Sequence, residues 1–355
     1  MTVYRVQVGK VVAETEDAHS IEFVIPDEHR DRFAYRPGQF LTVRVPSDRT
    51  GSVARCYSLC AGPSEGAVRV AVKRTAGGYA SNWLCDNATP GLELDVLAPA
   101  GVFTPRSLDD DLLLFAGGSG VTPVLAIVEE TLAAGTGSVV LIYANRDAGS
   151  VIFAGRLAEL SRAYPDRLTV VHWLESLQGL PAAAQLGALA RPWAGRAVYV
   201  CGPAPFMDAV VGAMGSLGVA RRDVHMERFR SLPRNPFEAQ DQAAAEAETL
   251  ADAEPEAVAA SAAPVVGTVT VDLDGATHTL AWPGDKRLLD VMLDADLAAP
   301  YSCREGSCGA CACRLVRGRV AMADNDVLDE ADIADGLILA CQATPVTDDV
   351  AIDYG

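Results

Sequence analysis

Positive charge is the first thing this sequence is short of. Across 355 residues, 29 Lys and Arg face 47 Asp and Glu, a formal net charge of −18. No basic stripe is left to neutralise a phosphate backbone, so nucleic acid is not an expected partner. Long apolar runs are missing too. Half of the residues are hydrophobic, yet no stretch approaches the ~18 consecutive apolar residues that a membrane helix needs, and no membrane association is expected. The N-terminus, MTVYRVQV, alternates like a strand and has no basic stretch leading into an apolar one. No secretion leader is read there, which points to a cytoplasmic protein. Histidine is scarce: His19, His29, His172, His225 and His278 stand alone, none paired at metal-ligand spacing. That argues against a Cys2His2 cluster, a Glu-x-x-His di-iron site or a facial triad. A centre that activates oxygen would then sit on a partner. No internal repeat is visible.

What is present is unevenly placed. Residues 1–235 hold 23 basic and 24 acidic side chains, residues 236–264 hold seven acids and no base, and residues 265–355 hold sixteen acids against six bases. The acidic C-terminal third either steers docking to a basic protein surface or simply keeps the chain soluble. Nine cysteines without a secretion signal argue against a disulfide framework. Five of them, Cys303, Cys308, Cys311, Cys313 and Cys341, fall within 39 residues, and that clustering points to metal.

Periodicity divides the chain into three domains and a linker. Residues 1–105 alternate apolar and polar in short runs (VQVGKVVAE, SIEFVI, GQFLTVRV, AVRVAVKR, LELDVLAP), with one helical stretch at YASNWLCDN. That predicts a small antiparallel β-barrel. From 106 to 235, unalternated apolar runs such as LLLFAGG and VVLIYANR take turns with helical segments. Strands apolar on both faces imply an α/β domain with a parallel sheet. Residues 236–264 form an acidic, Ala- and Glu-rich stretch read as a linker. Residues 265–355 open with a hairpin, TVTVDLDG–ATHTLAW, and a helix, RLLDVMLDADL. They are expected to form a compact α+β domain of β-grasp type.

The sharpest motif lies in that last domain. CREGSCGAC gives C-x4-C-x2-C, and Cys341 follows in LILACQA. This is the plant-type spacing for a [2Fe–2S] cluster, with Cys303, Cys308, Cys311 and Cys341 as ligands. Three thiolates must converge from one loop, and Gly306 and Gly309 suit a loop that turns tightly and aims backbone N–H groups at sulfur. A zinc ribbon is the structural rival, but it would use two C-x2-C knuckles and only one is present. Cys313 reads as a buried neighbour. Cys56, Cys60, Cys85 and Cys201 read as packed apolar thiols.

In the barrel region Arg55-Cys56-Tyr57-Ser58 is followed by VKRTAGGYASN, Val72 to Asn82. The pair resembles the ferredoxin-NADP reductase superfamily, whose first domain binds flavin. The resemblance implies an FAD site made of Arg55, Tyr57, Ser58, Val72, Lys73, Arg74, Gly77, Gly78, Tyr79, Ala80 and Ser81. Physically, Tyr57 can lie against the isoalloxazine, Arg55 can pair with phosphate, and Ser81 sits at the start of a helix whose free N–H groups favour an anion. In the α/β region, LLLFAGGSGVTP runs a buried strand into Gly117, Gly118 and Gly120, then Thr122 and a proline that opens a helix. It is not the G-x-G-x-x-G fingerprint, and alone it would be a tight turn. It nonetheless resembles the superfamily's pyridine-nucleotide loop, with Cys201-Gly202-Pro203 as the companion that holds nicotinamide near flavin. Glu227 and Phe229, in VHMERFR, resemble the segment that ends beside the flavin; a plain surface role is their alternative. The reacting set implied is Ser58, Cys201, Glu227 and Phe229. After the second strand the chain offers Tyr143-Ala144-Asn145-Arg146-Asp147, where one Arg beside one Asp is ambiguous between NADH and NADPH. The resemblance favours NADH.

Nicotinamide gives up two electrons as hydride and a [2Fe–2S] cluster takes one at a time, so a flavin between them is chemically required. The expected path runs from NADH through FAD to [2Fe–2S] and on to an external acceptor. The agreement extends through RTGSVARCYSLC, YPDRLTVVHWLESLQGLP, CGPAPFM, CREGSCGACACRL and NDVLDEADIADGLILACQA. Together these segments resemble the reductase components of actinobacterial 3-ketosteroid 9α-monooxygenases. That resemblance implies a Rieske-type terminal oxygenase as partner in steroid degradation, and a monomeric reductase is expected. The nearest alternative is the reductase of another multicomponent oxygenase, such as phenylacetyl-CoA epoxidase. An alternative from a different class is a zinc-stapled nucleotide-binding module.

Overall fold

The computed structural model describes residues 2–229, 231–232, 235–238, 265–273, 275–328 and 330–354. Most of the stretch read as a linker, 239–264, lies outside the described residues.

The alternating N-terminal runs form six strands: β1 (Val3–Thr15), β2 (Ala18–Val24), β3 (Phe40–Ser47), β4 (Gly51–Ser58), β5 (Val68–Lys73) and β6 (Glu93–Leu97). They pair antiparallel in the order β4-β3-β6-β1-β2-β5. A bridge from Leu59 to Val70 brings the end of the β4 run onto β5 and closes the sheet. Closure removes the exposed edges that an open sheet would leave. The inward residues, among them Val6, Ile21, Leu41, Val43, Val70, Val72 and Val96, make the barrel core. Helix α1 (Tyr79–Asn87) follows β5 and buries Ala80 and Leu84 against that core.

The unalternated runs become β7 (Leu112–Gly117), β8 (Val139–Asn145), β9 (Leu168–Leu174), β10 (Ala197–Cys201) and β11 (Val224–Glu227). They form one parallel sheet in the order β11-β10-β7-β8-β9. The two faces of β7 explain its lack of alternation. Leu112 and Leu114 pack with α2 (Val121–Ala134) and α3 (Ala154–Ala163), whereas Leu113 and Phe115 face Leu186 of the helix Ala183–Ala190 and Val210 of the helix Ala204–Ser216. Strand order reverses between β7 and β10, so the loops leaving their C-terminal ends open beside one another, which is where an open α/β sheet binds its ligand.

The third unit is a mixed sheet of β12 (Val265–Leu273), β13 (Ala276–Pro283), β14 (Ala312–Arg317), β16 (Leu337–Leu339) and β18 (Asp349–Asp353), ordered β13-β12-β18-β14-β16. A two-stranded ribbon, β15 (Val320–Met322) with β17 (Ala343–Pro345), lies beside it. The helix Leu288–Asp294 packs Leu288, Leu289 and Met292 into the core with fully buried Trp282. Trp282 satisfies its indole N–H on the carbonyl of Lys286 at 2.9 Å, so burying it leaves no polar atom unpaired.

Two findings alter the picture of independent beads. Phe237, inside the segment read as linker, is fully buried against Ala54 and Leu97 of the barrel, and Asn235 donates to the backbone and hydroxyl of Ser52. The chain that leaves the α/β domain is therefore tied back to the barrel before it goes on. The cluster-motif domain is also docked: Ser302 shares a buried hydrogen bond of 2.8 Å with Thr42 of β3, and Arg106 pairs with Asp335 at 2.6 Å. Among the described residues no helix is long and apolar enough to cross a membrane.

Candidate active site

Strand alternation decides which residues of the Val72–Ser81 motif share a space with Arg55–Ser58. A cavity of about 340 Å³ is lined by Arg55, Tyr57, Ser58, Lys73, Gly78, Tyr79, Ala80 and Ser81 from the barrel. From the α/β domain it takes Ser119 and Thr122, and Phe229 closes one side. Val72 points the other way and is part of the barrel core, while Arg74 pairs with Asp86 at 2.6 Å outside the cavity. Gly77 serves the turn, with φ of +70°. Along the β5 run successive residues face opposite sides, so Ala71, Lys73 and Thr75 reach the cavity and Val72 and Arg74 do not, whereas every member of Arg55–Ser58 lines it. Cys56, Ala71, Thr75 and Ser231 also line the cavity without having been singled out. Ala71 and Thr75 could have been found from their spacing of two residues about Lys73.

The chemistry of the lining suits an anionic, ring-bearing molecule. Arg55 and Lys73 bring positive charge, and Tyr57 brings an aromatic face whose phenol is pushed above its ordinary range by burial. Helix α1 starts at Gly78 with no side-chain cap, so its first N–H groups are left for a ligand.

The second cradle is made by close packing. A Cβ on Gly120 would fall 2.1 Å from the carbonyl oxygen of Cys201, and one on Gly202 would fall 2.9 Å from Phe206 and 3.0 Å from the Gly117 backbone. Gly117 in turn abuts Pro203 and Phe206. The loops after β7 and β10 are thus pressed backbone to backbone. Gly118 is the exception, held at φ of +52° with only the Lys73 amine near its open side. Thr122 returns its hydroxyl to the carbonyl of Ser119 at 3.0 Å and pins the loop to the start of α2. Cys201 is fully buried in the core at the end of β10 and is not among the residues lining the cavity, its thiol pushed well above the usual range by burial. It lies beside Glu227 in the register of β10 and β11. Burial raises the carboxyl of Glu227 to about 8.

The four motif cysteines come together as two pairs. The thiols of Cys303 and Cys308 are hydrogen-bonded, as are those of Cys311 and Cys341. Among the described residues no group of three or more His, Cys, Asp or Glu side chains is set to hold a single metal ion. Two pairs suit two irons, each taking two thiolates. Within each pair one sulfur is drawn toward thiolate: Cys303 down to about 5 by its bond with Cys308, and Cys341 to about 7 by its bond with Cys311. Backbone N–H groups point at sulfur, from Cys303 to Cys308 and from Glu305 to Cys303, both at 3.4 Å. Gly306 and Gly309 take φ of +75° and +71°, the turn their loop requires. Cys313 is buried and outside the pairs.

These sites meet. A small cleft beside the cavity is lined by Phe40, Cys56, Ser58, Glu227, Phe229, Ser307 and Cys308. Cys56, Ser58 and Phe229 line both spaces. The cluster loop therefore faces the same strand that lines the cavity; Ser307, inside the cluster motif but not singled out there, and the Thr42–Ser302 contact are further parts of the site.

Comparison with known proteins agrees with this geometry. Three protein families match in succession: the oxidoreductase FAD-binding domain over residues 5–104, the oxidoreductase NAD-binding domain over 114–212 and the 2Fe-2S iron-sulfur cluster binding domain over 271–346. The chain is 55% identical to the ferredoxin reductase component of 3-ketosteroid-9-alpha-monooxygenase from Mycolicibacterium smegmatis, covering 99% of this chain and 97% of that protein. It is 32% identical to one component of the 1,2-phenylacetyl-CoA epoxidase of Escherichia coli, covering 99% and 98% of the two chains. Among solved structures, phthalate dioxygenase reductase matches with a TM-score of 0.56 at 24% identity, over 99% of this chain and 98% of that one, and shares the fold. The cluster-domain match displaces the zinc-stapled alternative.

Proposed function

We infer the function from one premise: the chain belongs to the family of 3-ketosteroid-9-alpha-monooxygenase ferredoxin reductase components. It is an oxidoreductase that takes electrons from NADH and delivers them through FAD and a [2Fe–2S] cluster to an oxygenase. The observation that carries this reading is the shared cleft, in which Cys308 of the cluster loop faces Ser58, Glu227 and Phe229 beside the flavin cavity.

When bound, FAD supplies the conversion from two-electron hydride chemistry to one-electron transfer. The protein's residues bind and orient the cofactor. Arg55 would offset phosphate charge, as would Lys73, which also faces Asp17 at 3.6 Å, and the uncapped start of α1 would offer N–H groups to an anion. Tyr57 and Phe229 line the cavity and would flank the ring there, with Phe229 still half exposed. The carboxyl of Glu227, half-buried in the cleft beside the cavity, is raised to about 8 and can hold a proton at neutral pH. On the cofactor side, Arg146 is engaged by Asp17 at 2.9 Å, and Asp147 caps the turn 148–150 by accepting from the N–H of Ser150. Neither stands ready for a 2′-phosphate, which supports NADH over NADPH.

Arg55→Ala should weaken FAD binding. A lost charge-assisted bond costs roughly 1.5–3 kcal/mol, which is about 10- to 100-fold in affinity. Fluorescence titration of the cofactor-free chain checks it, and an unchanged affinity would remove Arg55 from the site.

For the partner, we propose a Rieske-type terminal oxygenase that hydroxylates the steroid nucleus at C9. The 55% identity to a named reductase of that system supports this over the epoxidase relative at 32%. Nine unbridged cysteines suit a reducing cytoplasm, and the chain is proposed to act as a monomer. The test is reconstitution: the purified reductase, NADH and an active ketosteroid oxygenase should yield 9α-hydroxylated product. No product there, with turnover of a phenylacetyl-CoA epoxidase instead, would transfer the assignment to the rival.

A further inference from the structure

Helix α2 carries an anomaly. It is apolar and buried along most of its length, yet Glu129 and Glu130 lie within it at 5% and 7% exposure. Burying a carboxylate is costly unless its oxygens are met by donors. Here the donors come from the barrel. The N–H of Gly62 reaches Glu129 at 2.8 Å, and the N–H and hydroxyl of Ser64 each reach Glu130 at 2.8 Å. Arg156 of α3 holds the other oxygen of Glu129 at 2.6 Å.

The barrel side is built to fit. Residues Pro63–Glu65 form a single 3-10 turn with Gly62 at its N-cap and no side-chain cap of its own. Its free N–H groups are capped instead by the carboxylates of the other domain. A Cβ on Gly62 would lie 3.0 Å from Cβ of Glu129 and 3.1 Å from the N of Glu130, so the two chains touch with nothing between them. Tyr35 braces the same loop, its single O–H shared between the carbonyls of Ala61 and Ala67 at 2.9 and 3.0 Å.

What the clamp joins gives it a role. The loop leaves β4 four residues after Ser58, and α2 starts immediately after Gly118–Gly120. From Thr122 to Glu130 a rigid helix spans about 12 Å at 1.5 Å per residue. One end of α2 thus carries the nucleotide loop, and the other grips the continuation of the strand that lines the flavin cavity. We propose that Glu129 and Glu130 are positioning residues for hydride transfer, fixing the α/β domain on the barrel so that nicotinamide meets flavin in reacting register. The proposal rests on the FAD and NADH reading above.

The test uses the full holo-chain. Glu130→Ala should slow flavin reduction at saturating NADH by about 10-fold, since small misplacements of reacting groups are costly. Bound FAD and the NADH concentration for half-saturation should stay at wild-type values. Glu130→Gln, which keeps an acceptor oxygen, should recover most of the rate. In the cofactor-free chain, hydrogen exchange of the Ser64 amide should quicken in Glu130→Ala while β3 is unchanged. Should Glu130→Ala not fold, Ser64→Ala removes one bond and Gly62→Ala wedges the contact, and both should slow the same step. Wild-type reduction with unaltered variants would overturn the positioning role alone, as would a rate that falls only in proportion to lost FAD. A wild-type flavin that NADH does not reduce would overturn the cofactor reading, and the proposal with it.

Discussion

Replacing Cys303 by Ser should stop electron delivery to an external acceptor while leaving flavin reduction by NADH near the wild-type rate. Cys303 accepts the N–H of Glu305 at its sulfur and sends its own N–H to the sulfur of Cys308, both at 3.4 Å. A serine hydroxyl stays protonated at neutral pH and offers a harder, shorter ligand arm, so one iron loses half of its protein ligation. Disturbing the groups around a metal ligand costs about 10- to 100-fold, and loss of the ligand itself should reach or exceed the upper end of that range. The hydride step is spared because Arg55, Tyr57, Lys73 and the 118–122 loop are all outside the cluster domain. Stopped-flow absorbance separates the two steps, following the flavin band on mixing with NADH and a one-electron acceptor thereafter. Equal loss of both would mean that the 302–308 loop, through Ser302 on Thr42, is needed to hold the barrel. Undiminished delivery would sink the assignment of Cys303 as a ligand.

Most of the fold is legible because each domain announces itself by a different period. Alternation in residues 1–105 gives the barrel, the unalternated runs of β7 and β8 give the parallel sheet, and ATHTLAW with its partner run gives the hairpin β12–β13. The cluster is legible for a stricter reason: four thiolates meeting on one loop and one closing segment admit few spacings. The rest was hidden by the same physics. Val72 and Arg74 sit in the flavin motif yet face away from the cavity, because a strand shows alternate residues to alternate sides. Phe237 falls in a stretch whose composition says linker, and one aromatic in an acidic run carries no sign of where it packs. The docking of Ser302 on Thr42 joins residues 260 positions apart, beyond any local pattern. Glu129 and Glu130 did leave a trace. Two carboxylates in the apolar run TPVLAIVEETLAA have no reason to be there unless donors await them.

The glycines of the nucleotide loop lead to the second large effect, and here the structure changes the physical reason. In the sequence, Gly117, Gly118 and Gly120 read alike, as parts of a tight turn or of a pyridine-nucleotide loop. The structure splits them. Gly120 has no space for a side chain because the Cys201 carbonyl would lie 2.1 Å from its Cβ, whereas Gly118 is open but held at φ of +52°. Gly120→Ala should therefore drive the β7 and β10 loops apart, a backbone-on-backbone clash that no rotamer change relieves. Displacing this loop by about an ångström should cut NADH-driven flavin reduction by roughly 100-fold. FAD content and the cluster absorption should be kept, since both sites are formed by other residues, and dithionite should still reduce both centres. Gly118→Ala is the informative contrast. It meets only backbone strain of roughly 1–2 kcal/mol for a non-glycine residue in the left-handed region, and its loss should be clearly smaller. Equal losses in the two variants would show that approach to the ligand, and not packing of the two loops, governs the site.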